Sequence, residues 1–357
     1  MNNSTSTFQH IAHILSFKTT HKQLELMLKA PSFNWEAIVK EASQHYIIPT
    51  IYCRLKAKHL LHLLPEDLIS YLEYITDENR KRNTVILAQT EELSQLFQLH
   101  NIEHVFLKGA ALLASGTYTD ISERMIGDID ILVKPIHLKR AYKLLLQNEY
   151  KSRAMTLGAD FFEHKHLPRL ETTVTDTRIA AVEIHRKLFV SYKNHELEPE
   201  SIFNEQRYQE SIYLPSLKHL LMHNILNHQI NDHGALYNNI NFRSAYDTIL
   251  LLQNYPQPNK LYQYNIIKRY FNYIGLFFEE VGMLMDVKSN IYTHFYLFKL
   301  RHRKFQKNWN KLLRIGYYIP ILSNRFWLFL SNKSYRKAIM TDKKRVFTHL
   351  ISILSKK

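Results

Sequence analysis

The sequence predicts an α+β chain: a small sheet with its own helices, over residues 101–200, set between two large all-helical segments. Three observations predict it. Residues 1–100 repeat their apolar positions near the 3.6-residue period of a helix. Past Asn101 the pattern switches to short glycine-bounded apolar runs and strict alternation, the marks of strands. From Pro215 the helical period returns. At 357 residues, 45% hydrophobic and 12% aromatic, the chain has material for two domains or for one core domain with helical additions. That composition is not the low-hydrophobicity signature of disorder.

Ile11, Ile14 and Leu15, then Leu24, Leu26, Met27 and Leu28, predict a helix over residues 7–30, broken at Pro31-Ser32. Asn34 is the expected N-cap of a helix from Trp35 to about His45, with Glu36 in its first turn. Pro49, tolerated in a first turn, opens another whose apolar face is Ile51, Leu55, Leu60 and Leu61. Pro65-Glu66-Asp67 starts a long helix carried by Leu68, Leu72, Ile75, Ile86, Leu87, Leu93, Leu96 and Phe97. Nothing in residues 1–100 reads as catalytic.

Val105 to Leu107 reads as a buried strand, and Ala110 to Ser115 as a short helix. Asp128 to Val133 alternates as a strand and is ended by Pro135; a helix follows from His137 to Gln147. Leu170 to Val174, a turn at Asp176-Thr177-Arg178 and Ile179 to His185 read as a hairpin. Beyond Pro215, Leu217, Leu220, Leu221, Ile225 and Leu226 make one apolar stripe, Phe242 to Leu252 another, and residues 260–285 continue the helical pattern. Leu312 to Leu330 is strongly apolar but interrupted by Arg314, Pro320, Asn324 and Arg325. Charges at mid-membrane depth are costly, so no transmembrane segment is expected. A pair of helices packed on the core is expected there, with an interfacial helix as the alternative. The organisation is then a helical segment (1–100), the α/β core (101–200), a helical segment closing a cleft (201–298) and a basic helical tail (299–357).

The formal net charge is +15, and the tail carries all of it: residues 299–357 hold sixteen Lys and Arg against the single acid Asp342. Such a block suggests RNA or another nucleic acid, or an anionic surface, as partner; a solvated helix face is the plain alternative. The one cysteine, Cys53, excludes an intramolecular disulfide and a cysteine-rich zinc site. With an N-terminus, MNNSTSTFQH, lacking a basic and then apolar leader pattern, this fits a cytoplasmic protein.

Chemistry concentrates between His104 and Val133. The chain has only eight glycines, and Gly109, Gly116 and Gly127 fall here. On a strand, residues i and i+2 share a side, so Asp128 and Asp130 project together while Ile129 and Ile131 face the core. Paired carboxylates repel unless a cation joins them, and Mg²⁺ takes carboxylates together with phosphate oxygens. Gly109-Ala110 opens a helix whose free N–H groups suit phosphate, and Lys108 and Arg124 add positive charge. Glu183 is the candidate third carboxylate, projecting with His185 from a strand whose Val182 and Ile184 are buried. His219 and His223 stand i, i+4, a spacing open to zinc, but interior hydrogen-bonded histidines are the commoner outcome. His223, His228, Arg243 and Asp247 are expected near the cleft between the helical part and the core.

A glycine turn, Asp-x-Asp on a strand and a carboxylate on a later strand resemble the nucleotidyltransferase fold of the DNA polymerase β superfamily. More narrowly, Leu107-Lys108-Gly109, Tyr118, Arg124, Asp128-Ile129-Asp130-Ile131-Leu132-Val133 and Val182-Glu183-Ile184-His185 are similar to the bacterial family usually labelled uncharacterised nucleotidyltransferase. The motifs cover residues 105–186. The resemblance implies a mixed sheet and a Mg²⁺- or Mn²⁺-dependent, ATP- or other NTP-binding enzyme. It would move an NMP to a hydroxyl of a small molecule, a protein or an RNA. Asp128, Asp130 and Glu183 would be the catalytic metal ligands, with Lys108, Gly109, Ala110 and Arg124 on the phosphates. The turn departs from the usual Gly-Ser or Gly-Gly, so no serine hydroxyl meets the phosphate, and the gap from Gly109 to Asp128 is longer than in many members. The same motifs are similar to toxin-type nucleotidyltransferases acting on RNA and paired with an antitoxin-like protein. A non-catalytic nucleotide- or nucleic-acid-binding protein on the same fold is the remaining alternative.

Overall fold

A computed structural model describes residues 4–153, 165–174, 177–190, 196–285 and 290–355. The first expected helix divides in two, α1 (Ser4–Leu15) and α2 (His21–Leu28). The break falls where Thr20 caps α2 and closes a capping box with Gln23. Asn34 caps α3 (Trp35–Gln44) through the Ala37 N–H, and Pro49 sits in the first turn of α4 (Ile48–Ala57). Leu60 and Leu61 lie beyond the end of α4.

The long helix α5 (Glu66–Leu99) does more than pack. Its buried positions include Leu72, Thr76, Asn79, Asn83, Ile86, Thr90, Leu93 and Phe97 at alternating steps of four and three, with Gln89 and Ser94 buried beside them. Those amides bind backbone elsewhere. Asn79 Nδ2 donates to Ser122 O at 2.7 Å, and Asn83 Nδ2 to Arg124 O at 2.8 Å. Gln89 donates to Ala180 O at 2.8 Å and accepts from Ala180 N at 3.0 Å. The helix thus fixes the loop before the Asp-x-Asp strand and the entry to the Glu183 strand.

The core opens with β1 (His104–Leu107), then α6 (Lys108–Ala114), β2 (Asp128–Val133) and α7 (Leu138–Gln147). It continues with β3 (Tyr150–Ser152), β4 (Leu170–Thr172) and β5 (Ala181–His185). The sheet order is β1-β2-β5-β4-β3 and the pairing is mixed. Strands β1 and β2 are antiparallel, β2 and β5 parallel, and β5 and β4 antiparallel as a hairpin would be. Asp176 of the expected turn lies outside the described residues. Strand β3, a three-residue edge on β4, was not expected from the sequence; its Lys and Ser are exposed, so it leaves no apolar signal.

After α8 (Pro199–Asn204) comes a second unforeseen element, the hairpin β6 (Arg207–Gln209) and β7 (Ile212–Leu214). Glu210 and Ser211 both take positive φ, the two-residue turn that matches strand twist without using glycine. Helices then follow: α9 (Leu217–Leu226), α10 (Gly234–Tyr237), α11 (Phe242–Asn254), α12 (Asn265–Ile274), α13 (Glu279–Met285) and α14 (Ile291–Arg301). The expected helix pair at Leu312 to Leu330 is instead part of one helix, α15 (Arg303–Ser331), with Pro320 inside it and no fully buried residue. A proline removes one backbone hydrogen bond, and this helix continues across the gap. The chain closes with α16 (Lys333–Thr341) and α17 (Lys343–Ser355). Among the described residues no helix is long and apolar enough to cross a membrane.

Candidate active site

Parallel pairing of β2 with β5 places Asp130 opposite Glu183 and Leu132 opposite His185. Ile129, Ile131, Val182 and Ile184 are buried in the core, which sends the acidic positions of both strands to the other face. There His185 Nε2 donates to Asp130 Oδ1 at 2.7 Å and lies 3.6 Å from Glu183 Oε2. Lys108 Nζ donates to the same Asp130 oxygen at 2.5 Å. One ligand atom each from Asp130, Glu183 and His185 falls within 4.8 Å of the others, a spacing suited to one cation.

Asp128 stands beside this group rather than in it. Its Oδ2 lies 3.7 Å from Arg169 Nη1, which also approaches Glu183 Oε1 at 3.8 Å. His166 Nε2 comes within 3.9 Å of Glu183. Arg169 and His166, in the stretch leading into β4, had no motif to announce them; the only signal was a local run of basic residues, Lys165-His166 and Arg169.

The electrostatics divide the two aspartates. Burial alone would raise the Asp130 carboxyl, but Lys108 and the His185 hydrogen bond outweigh it and hold the group far below the usual range. Asp128 moves the other way: burial raises it, and the neighbouring Asp130 charge adds to the rise. Glu183 is lowered, because the His185 hydrogen bond and nearby cationic groups overcome its burial. For Lys108 burial works against the ammonium, yet Asp130, Glu183 and Asp128 raise it.

The turn that delivers Lys108 is unusual. Lys108 has φ 51°, a left-handed conformation that non-glycine residues rarely adopt. Such strain clusters at functional sites. It is followed by Gly109, where an added Cβ would lie 2.3 Å from Ile126 Cγ2. The missing side chain therefore makes room for the loop returning to β2. Ala110 is buried within α6 and does not line the cleft.

That cleft runs from Lys108, Gly109, Asp128 and Asp130 to the helices behind. It is also lined by one face of α9, with Leu220, His223 and Asn224 at helical spacing and Asn227 just past its end, and by Arg243 at the start of α11. His223 is buried, and its Nε2 has no hydrogen-bond partner among the described residues. Burial, reinforced by the Lys108 charge, pushes its pKa down to about 3, so the ring is neutral. Arg243 Nη1 donates to Met125 O at 3.2 Å. Burial and the nearby Arg124 lower its pKa to about 10.

Two expected cleft residues, Asp247 and His228, are placed otherwise. Asp247 is fully buried, with Oδ2 3.0 Å from Arg124 Nε and Oδ1 accepting from Tyr118 Oη at 2.6 Å. Arg124 lines the cleft but commits this nitrogen inward; the contact is ionic rather than a well-directed hydrogen bond. His228 is buried away from the cleft, its Nε2 3.2 Å from Asn239 O and its ring edge-on to Tyr270. His219 is likewise buried, 3.6 Å from Glu205, and joins no metal-spaced group among the described residues.

A family model described as uncharacterised nucleotidyltransferase matches residues 31–269, more than half of the chain. The match reaches from α3 through the sheet into α12, so it includes every residue of the centre described above. No curated protein matches.

Proposed function

Because the chain belongs to the uncharacterised nucleotidyltransferase family, we propose that it is a divalent-metal-dependent enzyme transferring an NMP from an NTP to an acceptor hydroxyl. The observation that carries this reading is the in-register pair Asp130 and Glu183, with His185 at bonding distance, beside a cleft rich in fixed positive charge. The donor set fits a divalent ion: two carboxylates converge with an imidazole whose Nε2 would give up its hydrogen bond to Asp130 for the metal, its proton moving to Nδ1, and the Asp128 carboxyl stands beside them as a further oxygen. Mg²⁺ accepts the carboxylates, and the imidazole makes Mn²⁺ an equally natural guest. When bound, the metal supplies Lewis-acid neutralisation of phosphate charge.

The chain's own residues do the rest. Lys108 and Arg243 both line the cleft and would hold the triphosphate between two cations. Gly109 lets the chain approach the phosphates without a side chain. Arg124 holds the wall in place from behind through Asp247. The neutral Nε2 edge of His223 and the amide of Asn227 offer hydrogen bonds to a base, a ribose or the acceptor. In the transfer, the acceptor oxygen attacks the α-phosphorus, the bond to pyrophosphate breaks, and the hydroxyl proton passes to a carboxylate of the centre, Glu183 completing the acidic set. The acceptor is a hydroxyl on a small molecule, a protein or an RNA; the toxin-type version, with an antitoxin-like partner, is one form of the last.

One observation favours a second reading. Lys108 and His185 both bind Asp130 Oδ1, so protein groups already satisfy that oxygen, as they would in a nucleotide-binding protein without transfer activity. One experiment separates the two. The full chain is incubated with each labelled NTP, Mg²⁺ or Mn²⁺, and RNA, protein or metabolite extract, beside Asp130→Asn and Glu183→Gln. Label transfer that both variants abolish supports the enzyme. Equal transfer by wild type and variants overturns it, and nucleotide binding without transfer to any acceptor selects the second reading.

A further inference from the structure

Helix α15 carries an outward apolar stripe at Leu312, Ile315, Ile319, Phe326 and Leu330. The intervals are those of one helix face. Exposure is high where a folded core would hide such side chains: Leu312 is 63% exposed, Ile319 59% and Phe326 64%. Trp327, 69% exposed, stands at one border of the stripe, and by helical geometry Lys304 and Lys311 stand at the other. The opposite face rests on the body, where Tyr317 packs edge-on to His233 at 4.9 Å. At its start Arg303 binds Glu41 and the Ser4 hydroxyl. The stripe is thus held outward by a helix docked along its other side. Met340 on α16, and Phe347 and Ile351 on α17, are exposed apolar side chains too.

We propose that this face binds an anionic lipid surface, with α15 lying in the plane of the interface. Charge selects the occupant. Residues 299–357 hold sixteen Lys and Arg and one acid, so a second copy would set like charges together along the contact. Nucleic acid would use the cations but leave Leu312, Ile315 and Ile319 in water, since aliphatic side chains are not stacking platforms for bases. A bilayer with anionic headgroups uses both: apolar side chains enter the acyl boundary while lysines and arginines meet phosphates. Trp327 at the border is the residue type enriched at that depth. A peripheral mode is consistent with the absence, among the described residues, of a helix able to span. The inference is independent of the reaction proposed above.

The test uses the full chain and flotation with phosphatidylcholine vesicles, with and without phosphatidylglycerol. Binding to the anionic vesicles alone, weakened by salt, is expected. Ile319→Asp and Phe326→Asp are each expected to reduce it by about tenfold or more, since each puts a charge where apolar area enters lipid. Lys304→Glu with Lys311→Glu reduces it similarly. With Trp35→Phe and Trp309→Phe, Trp327 is the sole indole, and its emission shifts to the blue on anionic vesicles. The substituted stripe positions are exposed, and an unchanged thermal midpoint verifies the fold. Failure to float with anionic vesicles overturns the proposal. So does flotation that the aspartate variants leave unchanged, or concentration-dependent dimerisation that those variants abolish. Binding of a single-stranded RNA oligonucleotide in place of vesicles, unaffected by Ile319→Asp, assigns the tail to nucleic acid instead.

Discussion

Arg124 Nε lies 3.0 Å from Asp247 Oδ2, and both side chains are buried although 123 positions separate them in sequence. Asp247 also accepts from the Tyr118 hydroxyl, so one carboxylate on α11 anchors two points of the loop between α6 and β2. Removing it strands a buried guanidinium. Asp247→Ala is expected to destabilise the fold by about 3–5 kcal/mol, the usual cost of breaking a buried pair from one side. Asp247→Asn, which keeps a partner for Tyr118, should cost less. Urea denaturation of the three proteins checks this. If Asp247→Ala unfolds within about 0.5 kcal/mol of wild type, the pair is not structural.

The glycine of the Lys108-Gly109 turn has two competing reasons to exist, and a mutant cycle separates them. Gly109→Ala places a methyl 2.3 Å from Ile126 Cγ2. Overpacking of that kind costs about 1–3 kcal/mol. Ile126→Ala removes the obstructing methyl, so the double variant should recover part of the loss of Gly109→Ala. A cycle that shows no coupling, with nucleotide binding lost and stability intact, would assign Gly109 to phosphate approach alone.

Acid stability follows from histidines buried as neutral rings. Burial pushes His104 down to about 4, against a backbone hydrogen bond at Ile102 that pulls it up. Burial, helped by His228 and Arg303, pushes His45 down to about 4. Between pH 6.5 and about 4 the unfolded chain binds more protons than the folded one at these sites, so stability is present above 6.5 and lost as pH falls through that window. The urea midpoint should fall steadily across it. His104→Gln should flatten the slope by up to about 1.4 kcal/mol per pH unit. Parallel slopes for wild type and variant would show that His104 stays neutral in neither state or in both.

Local pattern made the centre readable where the chain alternates. Ile129 and Ile131, Val182 and Ile184 had to be buried, and that alone fixed the side on which Asp128, Asp130 and Glu183 emerge. The glycine turn and the strand were equally local. What escaped was non-local or polar. Arg124 and Asp247 each read as a ligand for substrate because nothing in sequence says that two charges so far apart will meet. Asn79, Asn83 and Gln89 fall outside the apolar period that marks the long helix, so the pattern says nothing of them, while the fold uses them as donors to distant backbone. Arg169 and His166 reach the acidic face because the chain leading into β4 runs along β5, with His166 bridged to His185. In the tail, Pro320 read as a break, yet α15 runs through it and turns its apolar residues outward.

On the proposed metal reading, the imidazole at the centre bears on which ion would be held. Mg²⁺ favours oxygen ligands, whereas Mn²⁺ accepts a nitrogen beside carboxylates. With His185 among the converging donors, Mn²⁺ should bind more tightly than Mg²⁺, measured by calorimetry and by the loss of free Mn²⁺ signal in electron paramagnetic resonance. Asp130→Asn should weaken Mn²⁺ binding by at least about 100-fold, the upper end of the cost of losing even a supporting residue. His185→Gln acts differently: it trades nitrogen for oxygen and frees Asp130 Oδ1 of one hydrogen bond, so it should narrow the gap between the two ions more than it weakens Mg²⁺. Undiminished binding of both ions by Asp130→Asn would take the β2 carboxylate out of the metal site. Equal losses for both ions in His185→Gln would make His185 a support for Asp130 rather than a ligand.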